Sequence, residues 1–231
     1  YSKERINLGD LVGNNFKIIL RDLKKEIKIE KDIQIENYFD DQRFGKEKNT
    51  HLIGKEILKR NFEEACKILN LEIKNKDYVA TLKQKPTKLL RFYISAYQSY
   101  VWNKTLIEII NKQKDNRKVA YSLGDLSFSN KVQESQKIPL INFDTPPNKE
   151  IDKILKEEKV SRSNFIIKQF PELVTDTVER DAFIEVKNIK FNFSEDESNK
   201  NSLKLELEFF LPKGSYATIL VKKLKSLYQF K

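Results

Sequence analysis

Cysteine and histidine each occur once in the 231 residues, and methionine does not occur at all. A single thiol excludes an intramolecular disulfide and any zinc site built on a cysteine cluster. A single imidazole excludes the usual two-histidine metal sites. The scarcity of cysteine fits a reducing, cytoplasmic setting. No apolar run approaches the roughly 18 residues of a membrane span, and residues 1–30 lack the charged, apolar, small-residue order of a signal peptide. The chain is thus expected to be soluble and to have no membrane partner. Methionine is missing even at position 1, which points to a fragment, a processed chain or a sequence from which modified methionines were dropped. Glycine is sparse as well. Gly9 and Gly13 do not make G-x-G-x-x-G and no Gly-Lys-Ser/Thr follows them, which argues against a nucleotide phosphate loop and for a hairpin.

What the chain has in quantity is lysine. Lys and Arg number 44 against 34 Asp and Glu, a net charge of +10, which favours a polyanionic partner. The excess is local. Residues 1–84 carry 18 basic and 15 acidic groups and residues 113–190 carry 14 and 13, the balance of ordinary solvated faces. Residues 85–112 instead hold Lys85, Lys88, Arg91, Lys104 and Lys112 against Glu108 alone. Residues 213–231 hold Lys213, Lys222, Lys223, Lys225 and Lys231 against no acid. If the two segments meet they form a patch that tracks phosphates; otherwise each is a solvated helix face.

Patterning predicts a mixture of helices and strands. Leu203, Leu205, Leu207, Phe209 and Leu211 alternate with Lys204, Glu206, Glu208 and Phe210, the mark of a half-buried strand. Phe16–Leu20 reads as a short strand entered from a turn. Helices are expected over 51–60 and 62–69, the second opened by Asn61 with Glu64 in capping-box position. Another should follow Pro86-Thr87, where Leu90, Ile94, Tyr97 and Val101 share one face. Pro146-Pro147 precedes a helix carrying Ile151, Ile154 and Leu155, and 194–202 is a polar loop between strands. His51, near a helix start, reads as a capping or surface group, and Cys66 as a buried, inert thiol.

The most informative stretch is Glu36-Asn37-Tyr38-Phe39-Asp40-Asp41-Gln42-Arg43-Phe44-Gly45. Such a turn can set Asn37 against a base edge and Phe39 against a base face, with Gln42 and Arg43 reaching sugar or phosphate. It can equally plug a core with its aromatics.

The run Asn37-Tyr38-Phe39-x-x-Gln42-Arg43-Phe44-Gly45 resembles the signature of the TruD family of tRNA pseudouridine synthases. Three further segments resemble the family in the same order. They are Leu8–Phe16, similar to its Gly-x-Leu-x-Gly-Asn-x-Phe hairpin; Ser95-Ala96-Tyr97-Gln98-Ser99-Tyr100-Val101-Trp102-Asn103, similar to its Ser-Ala-x-x-Ser-x-x-Phe-Asn helix; and Leu211-Pro212-Lys213-Gly214-Ser215-Tyr216-Ala217-Thr218, similar to its Leu-Pro-x-Gly-Ser-(Tyr/Phe)-Ala-Thr motif. Ile138-Pro139-Leu140 and Phe170-Pro171-Glu172-Leu173 resemble archaeal members. Two departures stand out. Asp40 replaces the usual Gly after Asn-Tyr-Phe, and the family's aspartate motif, Gly-x-Lys-Asp-x-x-Ala-x-Thr-x-Gln, does not occur in residues 1–36. Lys76–Gln84 imitates it, but with its Thr one residue early and on the wrong side of the turn, so Asp77 reads as a loop carboxylate before a helix.

The resemblance implies an isomerase that needs neither metal nor cofactor. It would extrude a specific uridine of tRNA, the one at position 13, and rotate its base with the help of an aspartate lying upstream of this chain. Asn37, Phe39, Gln42, Arg43 and Tyr216 would bind the substrate, and Lys85, Lys88, Arg91, Lys104, Lys213, Lys222 and Lys223 the RNA backbone. The implied fold is α+β: a mixed, largely antiparallel sheet with flanking helices, residues 1–84 and 191–231 forming the catalytic domain and 85–190 an inserted one. The competing expectation is a catalytically silent RNA-binding module of the same family, and a weaker one is a generic basic scaffold.

Overall fold

The computed structural model describes residues 10–30 and 32–228; Leu8 and Gly9 of the expected hairpin, and Lys231, lie outside them. Alternating apolar positions produce the strands that organise the molecule. β1 (Gly13–Leu23), β2 (Ile33–Glu36), β7 (Phe183–Glu195) and β8 (Leu203–Pro212) form a four-stranded sheet in the order β1-β8-β7-β2, with every pairing antiparallel. Leu205, Leu207, Phe209 and Leu211 of β8 are buried, as the alternation predicts. Gly13, paired with Pro212, is required by close approach: a Cβ there would stand 2.2 Å from the Leu211 carbonyl oxygen. Two ribbons complete the β-structure among the described residues, β3 (Asn116–Tyr121) with β4 (Gly124–Ser129) and β5 (Lys137–Leu140) with β6 (Val178–Asp181).

Six α-helices occur among the described residues: α1 (Thr50–Leu58), α2 (Phe62–Ile68), α3 (Tyr78–Lys83), α4 (Thr87–Asn111), α5 (Lys149–Glu158) and α6 (Ala217–Tyr228). The α+β class and the antiparallel sheet are as expected. The helix ends show where local signals failed. Asn61 makes no cap; its side-chain amide donates instead to Glu56 Oε2 at 2.7 Å, so the capping box is absent. Asp77 does cap α3, accepting from the Ala80 N–H at 2.9 Å, the ordinary role assigned to it. Cys66 is fully buried, and burial raises its thiol.

The apolar residues collect into two cores, and α4 serves both. Trp102, Leu106 and Ile110 join the sheet, α6 and the Asn-Tyr-Phe turn. Leu90, Tyr93, Ile94, Tyr97 and Val101 join α1, α2, α3, α5 and the segment through Leu173. β7 begins at Phe183, so position 190/191 lies inside a continuous strand, and α1–α3 pack with the helical core.

His51 is neither a cap nor a surface group. It lies buried in α1, stacked on Tyr100 at 4.7 Å and edge-on to Phe44 at 5.6 Å, its Nδ1 without a hydrogen-bond partner among the described residues. Burial lowers it to about 4. The unfolded chain takes up a proton here near pH 6.5 and the folded chain does not until about 4, so stability should fall as pH drops through that window. We expect a loss on the order of 2 kcal/mol. Urea unfolding of wild type and His51→Phe at pH 7 and 4.5 checks this, and equal losses in both proteins would refute it.

Candidate nucleic-acid interface

The site grows out of the end of β2. Asn37 extends the β2–β7 ladder by one bond, its N–H donating to the Ala182 carbonyl at 2.8 Å, after which the chain leaves the sheet. Tyr38 is driven inward, and its hydroxyl donates to the Ser127 carbonyl at 2.7 Å. Phe39 is held through its backbone by Asn103 of α4: its N–H donates to Asn103 Oδ1 at 2.9 Å, and Asn103 Nδ2 donates to the Phe39 carbonyl at 2.7 Å. A 3-10 turn, Asp41–Phe44, follows and closes at Gly45, whose φ of 76° favours glycine.

Phe39 is 7% exposed. Its ring meets Trp102 edge-on at 5.6 Å and Tyr216 at 6.4 Å, and the Arg180 guanidinium covers it at 4.1 Å. Phe39 is thus a packed ring, as the core-plugging alternative has it, whereas Tyr216 is half-buried. Asn37 is also buried. Its Nδ2 donates to the Asp181 carbonyl at 3.0 Å, and its Oδ1 accepts from Arg180 Nη2 at 2.6 Å. Arg43 donates from Nε to Ser99 Oγ at 3.0 Å and from Nη2 to Ser95 Oγ, while its guanidinium lies 5.4 Å from the Phe92 ring. Gln42 is exposed on the 3-10 turn.

Asp40 has φ −94° and ψ 177°, ordinary extended backbone, so replacing glycine there carries no left-handed strain. Its carboxylate is buried and accepts from Thr218 Oγ1 and Lys222 Nζ, tying the turn to the start of α6.

The basic residues divide. Lys223 does not face RNA: it is 6% exposed, and its Nζ reaches both Glu36 oxygens at 3.0 Å and the Ser129 carbonyl at 2.6 Å. An apolar setting leaves an ammonium no alternative to an internal carboxylate, which corrects its placement on the surface. Burial raises the Glu36 carboxyl, and Lys223 and the Ser129 N–H oppose that shift. Lys222 is committed to Asp40, with Asp41 3.6 Å away. Arg91 donates to the Glu172 carbonyl, Lys104 lies 5.4 Å from the Tyr100 ring, Lys85 is half-buried, and Lys88 and Lys213 are exposed.

Arg180 is the residue that sequence reasoning missed. It sits in β6 between Glu179 and Asp181, where counting charges cancels it, and no periodicity marks it. Its Nε donates to the Asn37 carbonyl at 2.9 Å and its Nη2 to the Gly214 carbonyl at 3.0 Å, so it joins the two aromatic-bearing turns.

The model of the family described as tRNA pseudouridine synthase D (TruD) matches residues 1–73, 68–145 and 138–224. The chain belongs to the TruD family. Among its TruD relatives, one from Methanococcus maripaludis is 32% identical, the match covering 94% of this chain and 73% of that protein. The tRNA pseudouridine synthase D of Aquifex aeolicus is 27% identical, with 97% of this chain and 72% of that protein covered. A crystal structure of a Methanosarcina mazei TruD superposes with a TM-score of 0.73 at 25% identity, covering 96% of this chain and 70% of that one. The four TruD-like segments, far apart in the chain, converge here. Gly13 pairs with Pro212, Ser95, Ser99 and Asn103 hold Arg43 and Phe39, and Tyr216 meets Phe39.

Proposed function

We propose that this chain forms most of the uridine site of a cytoplasmic tRNA pseudouridine synthase, that its substrate is the uridine at tRNA position 13, and that the reacting aspartate comes from outside residues 1–231. The observation that carries this reading is the meeting of three TruD-like segments around Phe39, through Asn103 and Tyr216, with the first segment pairing at Pro212 with the one that bears Tyr216. Extruding a base from structured RNA costs a few kcal/mol of stacking, which contacts to the base and backbone must return. The accessible side of Tyr216 supplies a wall for the base. Burial raises the Tyr216 hydroxyl, so it stays neutral and can donate a hydrogen bond. Phe39 and Trp102 brace that wall from behind, and Asn37 stands at the same turn. Gln42 and the exposed Lys88 and Lys213 would meet the ribose–phosphate chain.

Within the turn itself both carboxylates are committed elsewhere: Asp40 to Thr218 and Lys222, and Asp41 to Ser122. That supports an aspartate supplied by another segment, and it also favours the second reading, an RNA-binding module without turnover.

Residues 1–231 should bind unmodified tRNA with an affinity that falls steeply between about 50 and 200 mM salt. Pseudouridine should form only when a segment carrying Gly-x-Lys-Asp is supplied. Binding without turnover in its presence would establish the silent module. Robust activity of residues 1–231 alone that Asp77→Ala abolishes would overturn the proposal.

A further inference from the structure

We infer that Arg43 and Arg180 bind the phosphodiester backbone of the RNA at the extruded nucleotide, an anion site that rests on the uridine-site reading above. Both guanidiniums approach the same ring, Arg180 at 4.1 Å and Arg43 at 5.6 Å from the Phe39 centroid. Each is anchored on one side by neutral acceptors: Arg43 by the hydroxyls of Ser95 and Ser99, Arg180 by the carbonyls of Asn37 and Gly214 and by Asn37 Oδ1. In each case Nε and Nη2 are used and Nη1 has no hydrogen-bond acceptor among the described residues.

Neither arginine forms an ion pair among the described residues, in contrast to Arg21 and Arg162, which meet Asp196 and Asp152. The acidic groups that act on Arg180 are the Tyr216 hydroxyl and, more weakly, its chain neighbour Asp181, with which it forms no ion pair among the described residues. Burial, with the charge of Arg43 adding to it, brings Arg180 down to about 10, and burial lowers Arg43 too. Both remain protonated at neutral pH. Two half-buried cations beside one ring repel each other, and an arriving anion offsets that repulsion.

The anion's class follows from the geometry. A guanidinium held at Nε and Nη2 presents fixed N–H donors, which suits phosphate oxygens. The pair adjoins Tyr216, whose hydroxyl is raised by burial and pulled down by both arginines. A base leaning on Tyr216 brings its flanking phosphates to this place. Arg180 is thereby given two tasks, bridging the Asn37 and Gly214 turns and receiving the backbone.

The test measures binding of residues 1–231 to a tRNA transcript across a salt series. Arg180→Gln and Arg43→Gln should each weaken binding roughly tenfold at low salt and flatten the log–log salt slope by about one. Arg180→Lys should retain the slope, because it retains the charge. A second arm leaves the protein intact: a ligated tRNA with a neutral methylphosphonate linkage on either side of the target uridine should bind wild type about tenfold more weakly. At one of the two linkages, it should weaken the Gln variants no further. Gln variants that melt like wild type and keep its salt slope, or a wild type indifferent to both neutral linkages, would overturn the inference and leave the uridine-site reading standing. A wild type whose tRNA binding does not respond to salt would overturn both.

Discussion

Phe39→Ala is expected to destabilise the fold by about 3–5 kcal/mol, the range for emptying a buried aromatic site. The ring is packed against Trp102 and Tyr216, and Arg180 covers it. The surroundings cannot close the hole readily, since Asn103 pins the backbone on both sides of the residue. Truncation also removes the π face beneath the Arg180 charge, a contact worth about 2 kcal/mol when desolvated. Of the two roles the turn allows its aromatics, base face or core plug, the packing of Phe39 is that of the plug. Urea unfolding decides the matter: a loss under about 1 kcal/mol, with tRNA affinity reduced, would return the ring to the ligand.

Glu36→Gln should cost a similar 3–5 kcal/mol, because it leaves the Lys223 ammonium buried against a neutral amide. Glu36 is 1% exposed, and it also accepts from the Ser129 N–H at 2.7 Å, so β2, β4 and α6 meet at one carboxylate. The companion experiment is the double variant Glu36→Leu, Lys223→Met. Removing both charges together should recover most of the loss, since buried pairs commonly cost as much in desolvation as they return. A double variant less stable than Glu36→Gln would show that the Ser129 bonds, and not the stranded charge, carry the effect.

The sequence made legible whatever rests on periodicity or on motif order. The β8 alternation and the Leu90, Ile94, Tyr97, Val101 stripe both correspond to buried faces, because each element turns one side to a core. Asn37, Arg43 and Tyr216 are brought to one place, as the ordered motifs imply. What stayed hidden depends on distant partners. Lys223 looks like surface charge until Glu36, 187 residues away, is set beside it. Arg180 is masked by its acidic neighbours, and Phe39 reads as open until Trp102 and Arg180 close over it. The passage of α4 from one core to the other is hidden for a related reason: the helix has no composition break there.

That passage has a mechanical consequence. A helix of 25 residues is about 37 Å long, and its two halves are embedded in different cores with no proline inside. Its central amides should therefore exchange with deuterium only through global unfolding, and the sheet and the helical layer should behave as one cooperative unit. A body without a hinge along its spine does not close around a ligand. The distortion needed to seat a nucleotide then falls on the flexible polymer, and RNA sequences that unstack easily should be favoured at positions the protein never touches.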